Sequence, residues 1–372
     1  MRPSAVSGII LANSRDEALG RMTAVRSMAS VPFGGRYRLV DFCLSNLVNA
    51  GITNVGIITK ANYRSLMDHI ESGAFWDLDR KRGGVHLLPP FNISGARRYH
   101  GYVEALYGAM DFLNRCNSDY IVLCEGSIAA NVDISAAVDF HINKNADITV
   151  VYRRDAEIEN VKNMMRIKLD SSDRLVFADF PESVEKGDLC SLGILIFGRE
   201  LLIELINNAY ENGGRNIDSD IIADRINDLN ICGFEHTGFS AVMTDIKAYT
   251  DANMSLLKSE VRKDLFNPER KIMTKNRDDM PTRYGTKSIV ENSFVADGCV
   301  IDGTVKNSIV FRGVAVKKGA YIENSIIMQD CVIGENAIVQ SAICDKKVTV
   351  SSNTVVKGTE GKPVYIEKNQ KF

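Results

Sequence analysis

The first 250 residues alternate short apolar runs with stretches of helical periodicity. An apolar run at residues 6–12 (VSGIILA) has the composition of a buried parallel strand. Further strand-like runs lie at residues 55–59, 120–124, 148–152, 189–197 and 238–243, and helical spacing is found at residues 39–48, 63–70 and 104–113. Strands interleaved with helices predict an α/β domain with a mostly parallel sheet that is covered on both faces.

The apolar period changes in the last third of the chain. Small or aliphatic residues recur at every sixth position, and residues 333–338 (IGENAI) have the form of a hexapeptide repeat. The recurring positions are Val314, Ala320, Ile326, Val332, Ile338, Cys344, Val350 and Val356. Such a repeat predicts a parallel β-helix in which each turn stacks on the next, with an open rung near residues 350–356.

The segment between these two regions is rich in charge and contains Pro268 and Pro281. Its weak periodicity predicts a connector that lies on the surface. We therefore expect an α/β domain at residues 1–257, a connector at residues 258–288 and a β-helix at residues 289–372.

The amino-acid composition limits the classes of protein to which this chain can belong. The chain has 372 residues, of which 45% are hydrophobic and 25% charged, so it is long enough for two domains with full cores. A formal net charge of -2 gives no electrostatic footprint for nucleic acid or for an anionic membrane. None of the eight cysteines is spaced as CxxC, which predicts reduced core thiols instead of a zinc site or disulfides. No run approaches a membrane span or a signal sequence, and a cytoplasmic location is expected.

The most specific pattern follows the first predicted strand, which delivers the chain to a loop at its carboxyl end, where open α/β sheets bind ligands. Residues 31–60 (VPFGGRYRLVDFCLSNLVNAGITNVGIITK) resemble the nucleotidyltransferases that activate sugar phosphates, and specifically the bacterial ADP-glucose pyrophosphorylases. Residues 75–80 (FWDLDR) and 83–90 (GGVHLLPP) are similar to the next landmark of that family. The resemblance implies a Rossmann-like nucleotidyltransferase domain followed by a left-handed parallel β-helix.

The loop after the first strand departs from the pattern of a nucleotide site. The resemblance implies a Gly-rich GGxGxRL loop followed by a lysine, but residues 13–19 read NSRDEAL and Met28 stands at the lysine position. A loop that cradles a triphosphate needs glycines, which let backbone N–H groups approach the anion, and a cation that offsets its charge. Asp16 and Glu17 repel such an anion, so the sequence predicts a surface loop without a ligand.

The two positions that the resemblance assigns to Mg²⁺ ligands carry no carboxylate. In the family a sugar phosphate oxygen attacks the α-phosphate of ATP, and Mg²⁺ is held by two aspartates. Gly126 and Ala241 stand at these positions, so we predict no metal site and no cofactor in this chain, and Mg²⁺ only in a catalytic partner. Glu125 is one residue out of register at a strand end, which is expected to turn its side chain to the opposite face. Nearby Asp133 is not expected to substitute either.

The sugar side of the site is predicted to be better preserved. Phe180 stands where the resemblance implies a lysine on the sugar phosphate. The candidates for vestigial sugar-phosphate binding are Asp179, Ser191 and Gly193. Any residual binding should therefore favour glucose 1-phosphate over ATP. Arg97 and Arg98 are candidate anion contacts, with a solvated basic loop as the competing interpretation.

The lost groups belong to different parts of the catalytic site, while the frame of the domain is retained. We therefore expect a pseudoenzyme of bacterial glycogen synthesis, catalytically silent alone, that acts as a non-catalytic or regulatory subunit. The resemblance implies a catalytic ADP-glucose pyrophosphorylase subunit as partner, in a hetero-oligomer that is expected to be a tetramer, and a homo-oligomer stays open. Two alternatives also stay open, namely a weakly active glucose-1-phosphate adenylyltransferase and a sugar-phosphate sensor.

Overall fold

A computed structural model describes residues 6–60, 62–89, 99, 101–154, 164–359 and 361–372. The strands of its α/β domain are β1 Val6–Leu11, β2 Pro32–Phe33, β3 Tyr37–Arg38, β4 Asn54–Ile58, β5 Gly84–Leu88, β6 Tyr120–Glu125, β7 Ile128–Ala130, β8 Ile148–Arg154, β9 Arg166–Leu169, β10 Leu175–Asp179, β11 Leu189–Gly198, β12 Ile231–Glu235 and β13 Ser240–Val242. The α-helices are α1 Leu39–Asn49, α2 Arg64–Ile70, α3 Tyr102–Gly108, α4 Met110–Arg115, α5 Ile134–Asn143, α6 Arg199–Glu211, α7 Ile246–Ser255 and α8 Ser259–Leu265.

The α/β domain is built on a nine-stranded mixed sheet in the order β10-β9-β11-β6-β1-β4-β5, with β8 pairing to β11 and β12. The half formed by β6, β1, β4 and β5 is parallel, as the sequence predicts for the sheet as a whole. However, β11 runs antiparallel to β6, β8 and β9. No helix lies between β9, β10 and β11 in the described chain, and strands joined without a crossover helix pair antiparallel.

The C-terminal region is a left-handed parallel β-helix of three sheets. Its strands are β14 Arg283–Tyr284, β15 Ile289–Glu291, β16 Phe294–Val295, β17 Val300–Ile301, β18 Thr304–Lys306, β19 Ile309–Val310, β20 Ala315–Val316, β21 Tyr321–Glu323, β22 Ile326–Ile327, β23 Val332–Ile333, β24 Ile338–Gln340, β25 Ala342–Cys344, β26 Thr349–Val350, β27 Val355–Lys357 and β28 Val364–Ile366. Within residues 258–288, expected as a connector, the structure places α8, a 3₁₀ turn at Pro268–Arg270 and β14, which is already part of the stack.

The turns of the β-helix are shorter than the six-residue period implies. Ile309 pairs with Ile326 and Ile326 pairs with Ile343, so equivalent positions lie seventeen residues apart, one fewer than three steps of six. The apolar register therefore slips by one residue in each such turn. Val332, one of the recurring positions, is accordingly half-buried, while its neighbour Ile333 is fully buried.

The end of the chain closes part of the last rung. The Thr349 N–H donates to the Gln370 carbonyl at 3.0 Å, and the Ser351 N–H donates to the Phe372 carbonyl at 2.7 Å. The expectation of an open rung is therefore wrong for β26, because the chain's own tail pairs with the exposed strand edge. On the neighbouring strand β27, Val355 stays 58% exposed.

One apolar cluster joins the two domains. Met28, Phe33 and Tyr249 of the α/β domain pack in it together with Phe311 and Met328 of the β-helix, and all five side chains are fully buried. The Tyr249 hydroxyl, buried in this cluster, donates to the Pro32 carbonyl at 2.7 Å. The segment that follows β1 is thus part of the interdomain core.

A buried ion pair lies beside this cluster. Nη2 of Arg26 is 2.9 Å and 2.8 Å from the two carboxylate oxygens of Asp345, and both side chains are at most 2% exposed. The Tyr365 hydroxyl and the Lys346 N–H also donate to Asp345, at 2.6 Å each. Because a buried charge is tolerated only when it is paired and hydrogen-bonded, these bonds fix the domains against each other.

All eight cysteines are buried, and none of them forms a disulfide. Within the described ranges, no helix has the length and apolar character needed to cross a membrane.

Candidate functional site

A cavity of about 750 Å³ opens at the carboxyl edge of the parallel half of the sheet. Leu11, Ile58 and Glu125, the last residues of β1, β4 and β6, form its floor. Its other lining residues include Asn13, Arg15, Asp16, Glu17, Lys60, Tyr99, Tyr102, Phe180, Asn216, Asp218 and Thr244. This is the edge at which the sequence predicts a ligand site.

The loop after β1 is closed by its own side chains. Asn13 Nδ2 donates to Asp16 Oδ2 at 2.6 Å, and the Met28 N–H donates to Asp16 Oδ1 at 2.8 Å. Asn13 also ties the loop to β4, because its Oδ1 accepts from the Lys60 N–H at 2.8 Å. Burial raises the pKa of Asp16 above its ordinary value. The carboxylate that replaces a phosphate-binding glycine therefore serves as an internal acceptor for the loop.

Met28, at the lysine position, does not line the cavity. Its side chain is fully buried in the interdomain cluster, against residues of both domains. The segment that would supply a cation to a nucleotide is used here for packing.

Glu125 lies in the cavity, contrary to the expectation that its side chain faces away. Its Oε2 is 3.0 Å from Nε of Arg15 and 3.3 Å from the Ser127 hydroxyl, and the two charged side chains are about one-tenth exposed. Strand alternation is kept along β6: Leu123 lies on the same face of the sheet as Leu11 and Ile58, and Glu125, two residues on, faces the cavity on that side. The expectation was wrong because it took position 126, and not 125, as the one that faces the ligand.

Gly126 does not face the cavity. A Cβ atom at this position would lie 2.8 Å from the Ala29 Cβ and 3.0 Å from the Leu11 carbonyl oxygen. The glycine is therefore required by close packing of β6 on β1, and an aspartate introduced here would clash instead of reaching a ligand.

Ala241 is also outside the cavity lining. It pairs with Ala129 in the two-stranded sheet of β7 and β13 and packs against the interdomain cluster. Asp133, the other carboxylate considered, caps α5 by accepting from the Ala136 N–H at 2.9 Å. It also lies 3.4 Å from Arg270, so its role is structural.

These donors do not fit Mg²⁺. Gly126 and Ala241 offer no side-chain oxygen, and Glu125 is bound to Arg15. In the part of the chain that the structure describes, no three His, Cys, Asp or Glu side chains form a group able to hold a metal ion. No step of a reaction can therefore be assigned to a metal held by this cavity.

The sugar-side candidates are only partly brought together. Phe180 lines the cavity and is 41% exposed. Asp179 precedes it but is bound to Arg166, with contacts of 2.9 Å and 2.6 Å. The assignment of Asp179 to vestigial sugar-phosphate binding stays a prediction. Arg97 and Arg98 lie outside the described residues.

Ser191 and Gly193 form an irregularity in β11. The Gly193 N–H donates to the Ser191 hydroxyl at 3.1 Å, and the pairing with β8 shifts register between Ser191 and Ile194. Gly193 has φ +67°, and a Cβ atom there would lie 2.8 Å from the Glu125 side chain. The bulge thus makes room for Glu125.

Arg15, Tyr102 and Asp218 are among the described cavity residues that were not predicted from the sequence. The Tyr102 hydroxyl accepts from the Arg15 N–H at 3.2 Å. Asp218 begins a π-helical turn, and burial together with the nearby charge of Glu125 raises its pKa to about 7. A glutamate at the end of an otherwise apolar strand was a usable signal for Glu125, whereas no local pattern marks Asp218.

Fold and cavity define a nucleotidyltransferase domain joined to a hexapeptide β-helix. Residues 7–233 match the nucleotidyl transferase family, and residues 279–362 match the GlmU-like C-terminal hexapeptide family. The chain belongs to the ADP-glucose pyrophosphorylase family of nucleotidyltransferases.

Individual relatives support this placement. The chain is 37% identical over 317 residues to the glycogen biosynthesis protein GlgD of Geobacillus stearothermophilus, covering 85% of this chain and 82% of the relative. It is 33% identical over 316 residues to GlgD of Bacillus subtilis, with the same two shares. The glucose-1-phosphate adenylyltransferase of Geobacillus stearothermophilus is 32% identical over 319 residues, again with 85% and 82% covered. These matches confirm the resemblance found in the sequence.

Proposed function

We propose that this chain acts in glycogen synthesis as a non-catalytic or regulatory subunit. It assembles with a catalytic glucose-1-phosphate adenylyltransferase, which converts ATP and glucose 1-phosphate to ADP-glucose and pyrophosphate, and modulates its activity. The names of the relatives support the glycogen-synthesis role, and two kinds of relative in Geobacillus stearothermophilus are consistent with a two-subunit system.

The observation that carries the proposal is that Met28 and Phe180 stand at the two positions where the resemblance implies phosphate-binding lysines. Met28 is turned into the interdomain core, and Phe180 stands at the second lysine position. The remaining buried guanidinium, Arg15, is paired with Glu125. Electrostatic stabilisation and a metal ion can each supply several kcal/mol to phosphoryl transfer, so their joint loss should lower turnover by several orders of magnitude.

Assembly and silence can be tested together. The purified chain is assayed for ADP-glucose formation with radiolabelled ATP, alone and after co-expression with the adenylyltransferase of the same organism. Light scattering then gives the mass of each preparation. We expect no product from the chain alone and a hetero-oligomer with the partner. A monodisperse monomer in both preparations would contradict the assembly.

A weakly active adenylyltransferase is the second candidate, favoured by Glu125 and Asp218, two of the four carboxylates among the described residues that line the cavity. The variant Glu125→Gln separates intrinsic activity from contamination. Intrinsic activity that depends on this carboxylate is lost in the variant, whereas activity from a contaminating enzyme is the same in both preparations.

A further inference from the structure

The ion pair between Arg15 and Glu125 is a feature of the cavity that the proposed role does not require. A silent subunit needs only the loss of ligand-binding groups. Here a buried guanidinium is kept at the carboxyl edge of the sheet, with its side chain 10% exposed, and is neutralised by a carboxylate 3.0 Å away.

Arg15 is held in place by its backbone as well as by its side chain. It adopts φ +56°, a left-handed conformation that is strained for a residue other than glycine. The Tyr102 hydroxyl accepts from its N–H, and the Ala18 N–H donates to its carbonyl at 2.9 Å. The local structure therefore fixes the point from which the guanidinium enters the cavity.

Glu125 is positioned by two further segments. Ser127 donates to the same Oε2 that contacts Arg15, and the β11 bulge places Gly193 directly against the Glu125 side chain. Strand β6, the loop after β1 and strand β11 thus converge on one ion pair. A carboxylate held in this way binds the guanidinium without the loss of translational and rotational freedom that a free anion would pay.

The remaining lining also disfavours anions. Among the described lining residues, four carboxylates (Asp16, Glu17, Glu125 and Asp218) face two cations, Arg15 and Lys60. A phosphate that bound Arg15 would have to displace Glu125 and would leave that carboxylate buried without its partner, which is strongly unfavourable.

We infer that Glu125 is an internal counter-anion of Arg15 that occupies the place of a phosphate and closes the cavity to phosphate-bearing ligands. Guanidinium groups bind carboxylates and phosphates through the same charge-assisted hydrogen bonds, so removal of the Glu125 charge should turn the cavity into an oxyanion site centred on Arg15. This inference concerns the cavity of the proposed silent subunit and rests on that proposal for its biological meaning. Its test uses the isolated chain and no catalytic partner, so the inference and the proposed function can fail separately.

The experiment is calorimetric titration of the full-length chain with inorganic pyrophosphate at pH 8.5. We expect binding to Glu125→Gln to be about tenfold tighter or more than to the unmodified chain, the size of one charge-assisted hydrogen bond. The double variant Arg15→Gln/Glu125→Gln should lose this gain. A gain that persists in the double variant would show that Arg15 is not the centre of the site and would overturn the inference.

Asp218→Asn is the matched control. The pKa of about 7 means that Asp218 is mostly ionised at pH 8.5. Its carboxylate also acts on Arg15 through space, so this variant removes about the same charge from near Arg15 and leaves the hydrogen-bonded pair of Arg15 and Glu125 intact. An equal gain in Asp218→Asn would mean that only the overall charge matters, which contradicts the inference. If thermal unfolding shows that Glu125→Gln does not fold, the unmodified chain and Arg15→Gln test the inference. Tight pyrophosphate binding to the unmodified chain that is lost in Arg15→Gln would overturn it, because Glu125 would then not close the cavity to this ligand.

Discussion

The cavity and the interdomain junction are built on the same segment, residues 13–31, and use it in opposite ways. On the cavity side the segment presents charged side chains, with Arg15 and Asp16 held by other polar groups. On the junction side it presents Met28 and the buried ion pair of Arg26 with Asp345. The difference shows that one segment serves both its own closure beside the cavity and the packing of the two domains.

The largest expected effect is at the junction. Asp345→Asn leaves the Arg26 charge buried without its partner, and breaking such a pair costs roughly 3 to 5 kcal/mol. Urea unfolding should show this loss. The exposed pair of Arg21 and Glu367, with side chains 79% and 50% exposed, links the same two domains, and Arg21→Gln should cost about 0 to 1 kcal/mol. Equal effects of the two variants would remove the distinction between buried and exposed contacts at the junction.

The next effect concerns the bulge that makes room for Glu125. Gly193→Ala should cost about 2 to 3 kcal/mol, because it combines the strain of a left-handed backbone with a contact of 2.8 Å to the Glu125 side chain. Gly213→Ala is the matched control, since Gly213 has φ +75° and no atom lies within 4 Å of the position that the added methyl group would take, so only the strain of about 1 kcal/mol remains. The additional loss of unfolding free energy in Gly193→Ala, relative to Gly213→Ala, should disappear when Glu125 is also replaced by alanine. If that additional loss is unchanged, the added methyl group clashes with a residue other than Glu125.

The smallest effect is the pH dependence of the cavity. The pKa of Asp218 is raised to about 7, so the folded state binds a proton that the unfolded state releases near pH 4. The contribution of Asp218 to stability is therefore complete below about pH 4 and is lost as the pH rises through 7. After discounting for partial exposure, the loss is on the order of 1 to 2 kcal/mol. Urea unfolding at pH 5 and pH 8 should show this extra decline in the unmodified chain relative to Asp218→Asn; identical declines would contradict it.

The two regions also differ in how far the sequence predicts them. The strands around β1 and those of the β-helix are predicted from local apolar periodicity. In the β-helix, the seventeen-residue turns move Val332 away from the buried position that a six-residue period predicts. The cavity depends on contacts between distant segments. Arg15 and Glu125 are 110 residues apart, and Gly193 comes from a third strand. Alternation along β6 holds, but the sequence did not show which of positions 125 and 126 faces the cavity. It also offered no reason for Gly126, which is set by close contacts with Ala29 and Leu11.

We propose that this chain changes the behaviour of a catalytic partner without contributing catalysis of its own. The direct measurement is the kcat and KM for ADP-glucose formation by the adenylyltransferase of the same organism, alone and in a complex with this chain verified by mass. Subunit coupling of 1 to 3 kcal/mol corresponds to a change of about 5- to 150-fold in effector or substrate affinity. We predict a change within this range in the complex and no product from the chain alone. Turnover by the chain alone, or unchanged kinetics in the verified complex, would contradict the account.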